Sequence, residues 1–177
     1  CQNLQQHAWP QLHVLDLSFN IFDVSALAAL FQGINKINTL EHLSLRACGI
    51  KAQGAAVIGN ALASDRQVKK LDLAFNNLEL VGCEVIADLL RVNKTIVELN
   101  LRSNSVGALG GQTLERALSY NKTLRVLVMA DNQIGPEIIA ALSGKVNGDF
   151  GDVLKASRSK ELNMPADNLG ELAKRNA

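Results

Sequence analysis

Hydrophobic positions along this chain follow two alternating rhythms. Stretches such as LHVLDLSFNIF from Leu12 and VKKLDLAFNNL from Val68 alternate apolar and polar residues, the pattern of a strand with one buried face. Between them apolar residues recur four apart, as in Ile58 and Leu62 or Ile86 and Leu90, the spacing of a helix with one buried side. The strand-like stretches open at Leu12, Leu40, Val68, Ile96 and Leu124, always 28 residues apart. Counting each of these as position 1 of a unit, positions 1, 4, 6 and 11 are apolar at all 20 sites, from Leu12, Leu15, Leu17 and Phe22 to Leu124, Leu127, Met129 and Ile134. The helical pairs occupy positions 19 and 23, from Leu30 and Ile34 to Leu142 and Val146.

A strand, turn, helix and return loop at a fixed period predict an α/β solenoid. The crossover length implies parallel strands, and units this small bury their apolar side only by stacking on neighbours. Parallel strands sit about 4.8 Å apart whereas packed helices need about 8–10 Å, so the stack bends into a horseshoe with a concave sheet inside and helices outside. Residues 1–177 read as one domain: a partial repeat or cap over 1–11, five repeats over 12–151, and an atypical repeat or cap over 152–177. The next recognisable strand, in ELNMPADNLG, belongs to a unit starting at Ser159, seven residues late. Position 15 is Gly54, Gly82 and Gly110 in the central repeats, which predicts close packing of each helix on the strand beneath it. Ala26 and Ile138 replace it at the ends, and Gly135-Pro136 ahead of Ile138 predicts a fifth helix that starts and packs differently.

The pattern LxxLxLxx(N/C)xLxxxGxxxLxxxL resembles the leucine-rich repeats of the ribonuclease-inhibitor type, over about residues 12–149. That resemblance implies a shell with helices on its convex side. It leaves function open, because such repeats serve inhibitors, immune sensors, GTPase-activating proteins, actin-capping proteins and cytoskeletal or ciliary proteins.

Composition narrows the field a little. Lys plus Arg number 18 against 17 Asp plus Glu, which argues against nucleic-acid or membrane-surface binding driven by bulk charge. Three cysteines, Cys1, Cys48 and Cys83, lack the spacing of a disulfide framework or zinc site and point to a reducing compartment. No apolar run reaches the roughly 18 residues that span a bilayer, so a soluble, cytoplasmic protein is expected. The chain begins without methionine, so a fragment or processed form is expected.

Candidate chemistry is sparse. Position 9 holds Asn20, Cys48, Asn76, Asn104 and Asn132, a polar column within an apolar frame. Buried amides left unpaired cost about 1–3 kcal/mol each, so a structural ladder that bonds neighbouring turns is expected, with Cys48 as an inert member. His7, His13 and His42 have no metal-ligand spacing, and His42 and Cys48 point apart as a thiol–imidazole pair. Asp149-Phe150-Gly151 matches a kinase magnesium tripeptide without its companion motifs, a coincidence. The sequons at Asn93 and Asn121 fall at one return-loop position, so repetition explains them.

The positions free to recognise something are 3, 5, 7 and 8, which face the concave side. They supply Asp16, Phe19, His42, Arg46, Lys70, Asp72, Phe75, Asn100 and Arg102 as a candidate interaction surface. Two readings stand side by side. Asp16 and Asp72 flank Arg46 as a self-neutralising charge ladder of exposed pairs, each contributing about 0–1 kcal/mol. Alternatively Arg46, Arg102, Phe19 and Phe75 anchor a partner, since arginine and aromatics dominate interface energetics. The expected function is a non-enzymatic protein-interaction module or scaffold that uses the concave face or strand-end loops, with a protein partner. No cofactor, metal, nucleic acid, membrane or small-molecule substrate is expected; association with cytoskeleton or cilium is one implication of the resemblance. The alternative is a GTPase-activating regulator similar to the Ran GTPase-activating proteins, although the tail ELAKRNA lacks their acidic character. An immune receptor is the other candidate by resemblance, but it requires a nucleotide-binding P-loop that the chain lacks.

Overall fold

The computed structural model describes residues 11–146. Five short strands, β1 (Val14–Asp16), β2 (His42–Ser44), β3 (Lys70–Asp72), β4 (Glu98–Asn100) and β5 (Val126–Val128), form one parallel sheet in chain order. Each is followed by a helix: α1 (Val24–Ile34), α2 (Ala52–Leu62), α3 (Glu79–Val92), α4 (Gly107–Leu118) and α5 (Pro136–Ser143). The strands pair in register at the repeat spacing, so Leu15, Leu43, Leu71, Leu99 and Leu127 stand in one row. An in-register parallel sheet stacks equal positions on each other, which is why one 28-residue pattern suffices for the whole shell. Positions 1, 4 and 6 fill the core from the sheet side and positions 19 and 23 from the helix side; Leu43, Leu73, Ile58 and Leu114 are fully enclosed. That burial is the main stabilising term, about 1.5–3 kcal/mol per large aliphatic side chain.

What the position-15 glycines make room for differs from the expectation. A Cβ on Gly54 meets Ile50 Cγ2 and Leu27 Cδ1, both at 2.9 Å; on Gly110 it meets Val106 Cγ1 at 2.5 Å and Cys83 Sγ at 3.3 Å. The space is thus taken by the turn residue at position 11 and by the preceding helix, through position 16 at Gly54 and Gly110 and through Ala52 Cα at Gly82, not by the strand. Ile138, the bulky exception, completes the rule: it fits because Gly111 stands opposite, where a Cβ would lie 2.9 Å from Ile138 Cγ2. Large and small residues have changed places across the α4–α5 contact. The fifth helix does begin differently, at a proline in its first turn after Gly135.

The turns between strand and helix carry the polar column. Position 8 is left-handed in all five repeats, at Phe19, Ala47, Phe75, Ser103 and Asp131, and position 10 is left-handed at Gly49, Asn77, Ser105 and Gln133. A left-handed residue makes the N–H groups on either side of it converge. Asn76 Oδ1 accepts from Cys48 N (2.9 Å) and Ile50 N (3.1 Å), and its Nδ2 donates to Leu45 O (2.8 Å) and Leu73 O (3.0 Å). Asn104 and Asn132 repeat this arrangement one and two units on. Cys48 has no such oxygen to give to the first repeat. There Ile21 is not left-handed, and Phe22 N reaches Cys48 O at 3.2 Å. In later repeats the residue one place further on, Glu79 or Gly107, makes that bond. The Cys48 thiol instead donates to Leu17 O at 3.1 Å.

A second polar column, at the return loops, was legible only as sequons. Asn93 Oδ1 accepts from Thr95 N and Ile96 N at 2.8 Å each, and its Nδ2 donates to Leu62 O at 2.8 Å. Asn121 does the same for Thr123, Leu124 and Leu90. Both amides are buried, so in the folded shell they are fastenings between units and inaccessible to glycosylation.

Candidate functional site

The concave face divides into a groove and a rim. The groove, a cavity of about 390 Å³, is lined by positions 3 to 5 of all five strands, including Asp16, His42, Lys70, Asp72 and Asn100. The four other predicted residues, Phe19, Arg46, Phe75 and Arg102, lie beyond the strand ends at positions 7 and 8, outside that lining. A single candidate surface in the sequence is therefore two adjoining ones in the fold.

Polar groups in the groove are committed to each other across strands. Lys70 Nζ pairs with Glu98 Oε1 at 2.8 Å, each about two-fifths exposed, so the pair contributes no more than about 1 kcal/mol. Asp72 accepts from Ala74 N at 2.8 Å and from Asn100 Nδ2 at 3.1 Å. Asp16 accepts from the amide and hydroxyl of Ser18, and these bonds hold its pKa below the ordinary carboxylate value. At one end the lining turns apolar, with Val126 and Val128. Glu98 and Val126 were missed as site residues. Their signal was available: both occupy position 3, and the register places Glu98 directly beside Lys70.

The charge ladder read from sequence needs correction. Neither Asp16 nor Asp72 makes an ion pair with Arg46: Asp16 Oδ1 and both Asp72 oxygens take the bonds just described, and Asp72 acts on Arg46 only through space. Arg46 is not an exposed residue either: 9% of its surface remains accessible. Its guanidinium carbon lies 4.3 Å from the centre of the Phe75 ring, and that of Arg102 lies 5.8 Å from the same centre. Arg102 reaches Asp131 of the next repeat, with Nε and Nη2 both 2.8 Å from Oδ2. The rule is geometric: position 7 of one repeat meets position 8 of the next. The backbone bonds run along the other diagonal, from position 8 of one repeat to position 7 of the next, Phe75 N to Arg102 O and Ala47 N to Ala74 O, and lay each turn against its successor so that these side chains come within reach. Phe19 is 44% exposed; its N donates to Arg46 O at 2.8 Å, but neither arginine's guanidinium lies over its ring.

Nucleophilic chemistry finds little support here. Burial pushes the Cys48 thiol up, and Cys83 is pushed up to about 12 by burial first and Glu84 second. Among the described residues there is no cluster of His, Cys, Asp and Glu able to hold a metal ion, and no helix long and apolar enough to cross a membrane. The Asp149-Phe150-Gly151 tripeptide and the caps expected at 1–11 and 152–177 fall largely or wholly outside the described residues.

A family model described as "Leucine Rich repeat" matches residues 36–59, 66–87, 92–114 and 120–143. The chain belongs to the leucine-rich repeat family. Each match begins at the end of a helix or in a return loop and runs through strand and turn into the following helix, so the family's unit follows the 28-residue period. Curated protein sequences give no match to this leucine-rich repeat chain. Among solved structures it is similar to leiomodin-1 actin-binding site 2, at TM-score 0.71 and 15% identity over 94% of this chain and 91% of that one. It is also similar to a Caenorhabditis elegans tropomodulin C-terminal domain, at TM-score 0.66 and 18% identity over 90% of this chain and 96% of that one. At these identities the likeness is one of fold.

Proposed function

We propose that this chain is a non-enzymatic protein-binding shell of the cytoplasmic cytoskeleton, and that it holds its partner with the groove and rim of the concave side. The observation that carries the reading is the chemistry of that side. Apart from Arg46, most of its charged groups are tied to one another or to backbone, which leaves a shaped, mixed surface and, among the described residues, no nucleophile–base pair. Each repeat bears a true helix of 8 to 14 residues, which supports assignment to the long ribonuclease-inhibitor type. Similarity to a domain named as an actin-binding site makes actin the first partner to test. Nothing favours the GTPase-activating alternative: Arg102 is spent on Asp131 and Arg46 is packed on Phe75.

Cosedimentation with filamentous actin and gel filtration with monomeric actin test the proposal. Binding to one form is expected, weakened at least about tenfold by Phe75→Asp, the scale of an interface anchor. No binding to either form removes actin as the partner. Full binding by Phe75→Asp removes the rim.

A further inference from the structure

Arg46 has a feature that the repeat pattern does not require. The residue is nine-tenths buried, yet no hydrogen bond or ion pair from a described residue reaches its guanidinium. A guanidinium carries five donors, and since no enclosed side-chain nitrogen among the described residues lacks a partner, the free donors of Arg46 reach solvent and are open to an acceptor from outside the shell. Each nearby anion is already engaged. Asp131 is held by Arg102, while the Asp72 oxygens take Ala74 N and Asn100 Nδ2 and act on Arg46 only through space. Burial accordingly lowers the pKa of Arg46 from the ordinary arginine value, with Asp72 opposing and Arg102 reinforcing that shift.

We infer that Arg46 is a preorganised anchor for one carboxylate side chain, aspartate or glutamate, of the bound protein, with Phe75 as its platform. The inference rests on the reading that this side of the shell binds a protein. A guanidinium over an aromatic face keeps its in-plane N–H fork free, and that fork matches a carboxylate bidentately. The ring at 4.3 Å has already restricted the arginine side chain, so less freedom is lost on binding. Charge decides between anions. With Arg102 neutralised by Asp131 and Asp72 already acting on Arg46 through space, the rim has at most one positive charge to offer, which suits a monoanion. A dianionic phosphate would place its second charge near Asp72 and Asp131.

Arginine Nε–Hε resonances of the isotopically labelled chain test this, with acetyl-glutamate amide, acetyl-glutamine amide and acetyl-phosphoserine amide as probes. The Arg46 resonance is expected to shift saturably with the glutamate probe and not with the glutamine one, and less with phosphoserine. Phe75→Leu, which keeps an apolar side chain there, is expected to weaken the glutamate response roughly two- to fivefold, the loss of a cation–π platform. An Arg46 resonance that ignores glutamate overturns the inference, as does a response located at Arg102 that survives Arg46→Gln. A preference for phosphoserine overturns it in favour of a phosphate site. The probes need no protein partner, so failure here with actin bound removes the anchor alone, and success without actin binding removes actin alone.

Discussion

The same substitution at the same motif position should have very different effects in two repeats. Asn76→Ala orphans the N–H groups of Cys48 and Ile50 and the carbonyl of Leu45; Leu73 O keeps a donor, because Asn104 Nδ2 also reaches it at 2.8 Å. Three buried groups at about 1–3 kcal/mol each give a range of about 3–9 kcal/mol, and local relaxation or water entry brings the expected loss to about 3–5 kcal/mol. Asn20→Ala removes far less. Asn20 is exposed, its Nδ2 donates to Leu17 O and Ser18 O, and its oxygen receives no N–H from an earlier described turn. Its loss should stay near 1 kcal/mol. Urea unfolding of both variants measures the difference. Amide hydrogen exchange at Cys48 and Ile50 adds a local check, with protection falling in Asn76→Ala and unchanged in Asn20→Ala. Equal losses from the two variants would refute the view that the amide oxygen, received by the preceding turn, is what makes position 9 matter.

Two further outcomes follow from packing and burial. Gly110→Ala should destabilise by about 1–3 kcal/mol in the same urea assay, because its Cβ would stand 2.5 Å from Val106 Cγ1; partial recovery on adding Val106→Ala identifies the clash as the cause. Cys83, pushed up to about 12 from an ordinary value of 9.0, should make stability fall as pH rises. Above about pH 9 the unfolded thiol loses its proton while the folded one keeps it, so the unfolded state is favoured by about 1.4 kcal/mol per pH unit up to about pH 12. Cys83→Ala should lack that part of the slope, and an identical pH profile for both proteins would contradict the burial argument.

Core and topology were legible in the sequence because each rests on local periodicity repeated in register: Leu43, Leu71 and Leu99 need nothing but their own unit pattern to find their row. The candidate site was less legible because its geometry crosses units. That Arg46 meets Phe75 and Arg102 meets Asp131 follows only once position 7 is known to lie against position 8 of the next repeat. Setting position 7 beside position 5 of the flanking strands matched Arg46 with Asp16 and Asp72, neither of which bonds it. Asn93 and Asn121 were rightly read as products of repetition, but nothing local shows that the return loop is a buried seam. Ile138 looked like decay of the pattern until Gly111, on the neighbouring helix, supplied its complement.

Backbone strain is a poor guide to function in this fold, and position 8 shows why. A left-handed non-glycine residue costs roughly 1–2 kcal/mol, and such residues often mark functional sites. Here all five repeats adopt that conformation, at Phe19, Ala47, Phe75, Ser103 and Asp131, so the strain belongs to the turn that brings the N–H groups to the asparagine oxygens. What varies is the side chain that the turn presents. Alanine and serine hold the same backbone with little to offer, whereas Phe75 places a ring between two arginines and Asp131 neutralises one of them. Phe19 is the internal control: same conformation, same ring, no cation, and 44% exposed. The distinction between scaffold and site therefore lies in which side chain from the neighbouring repeat meets the left-handed residue, and Arg46 on Phe75 is the one such meeting among the described residues that leaves a cation without a protein acceptor.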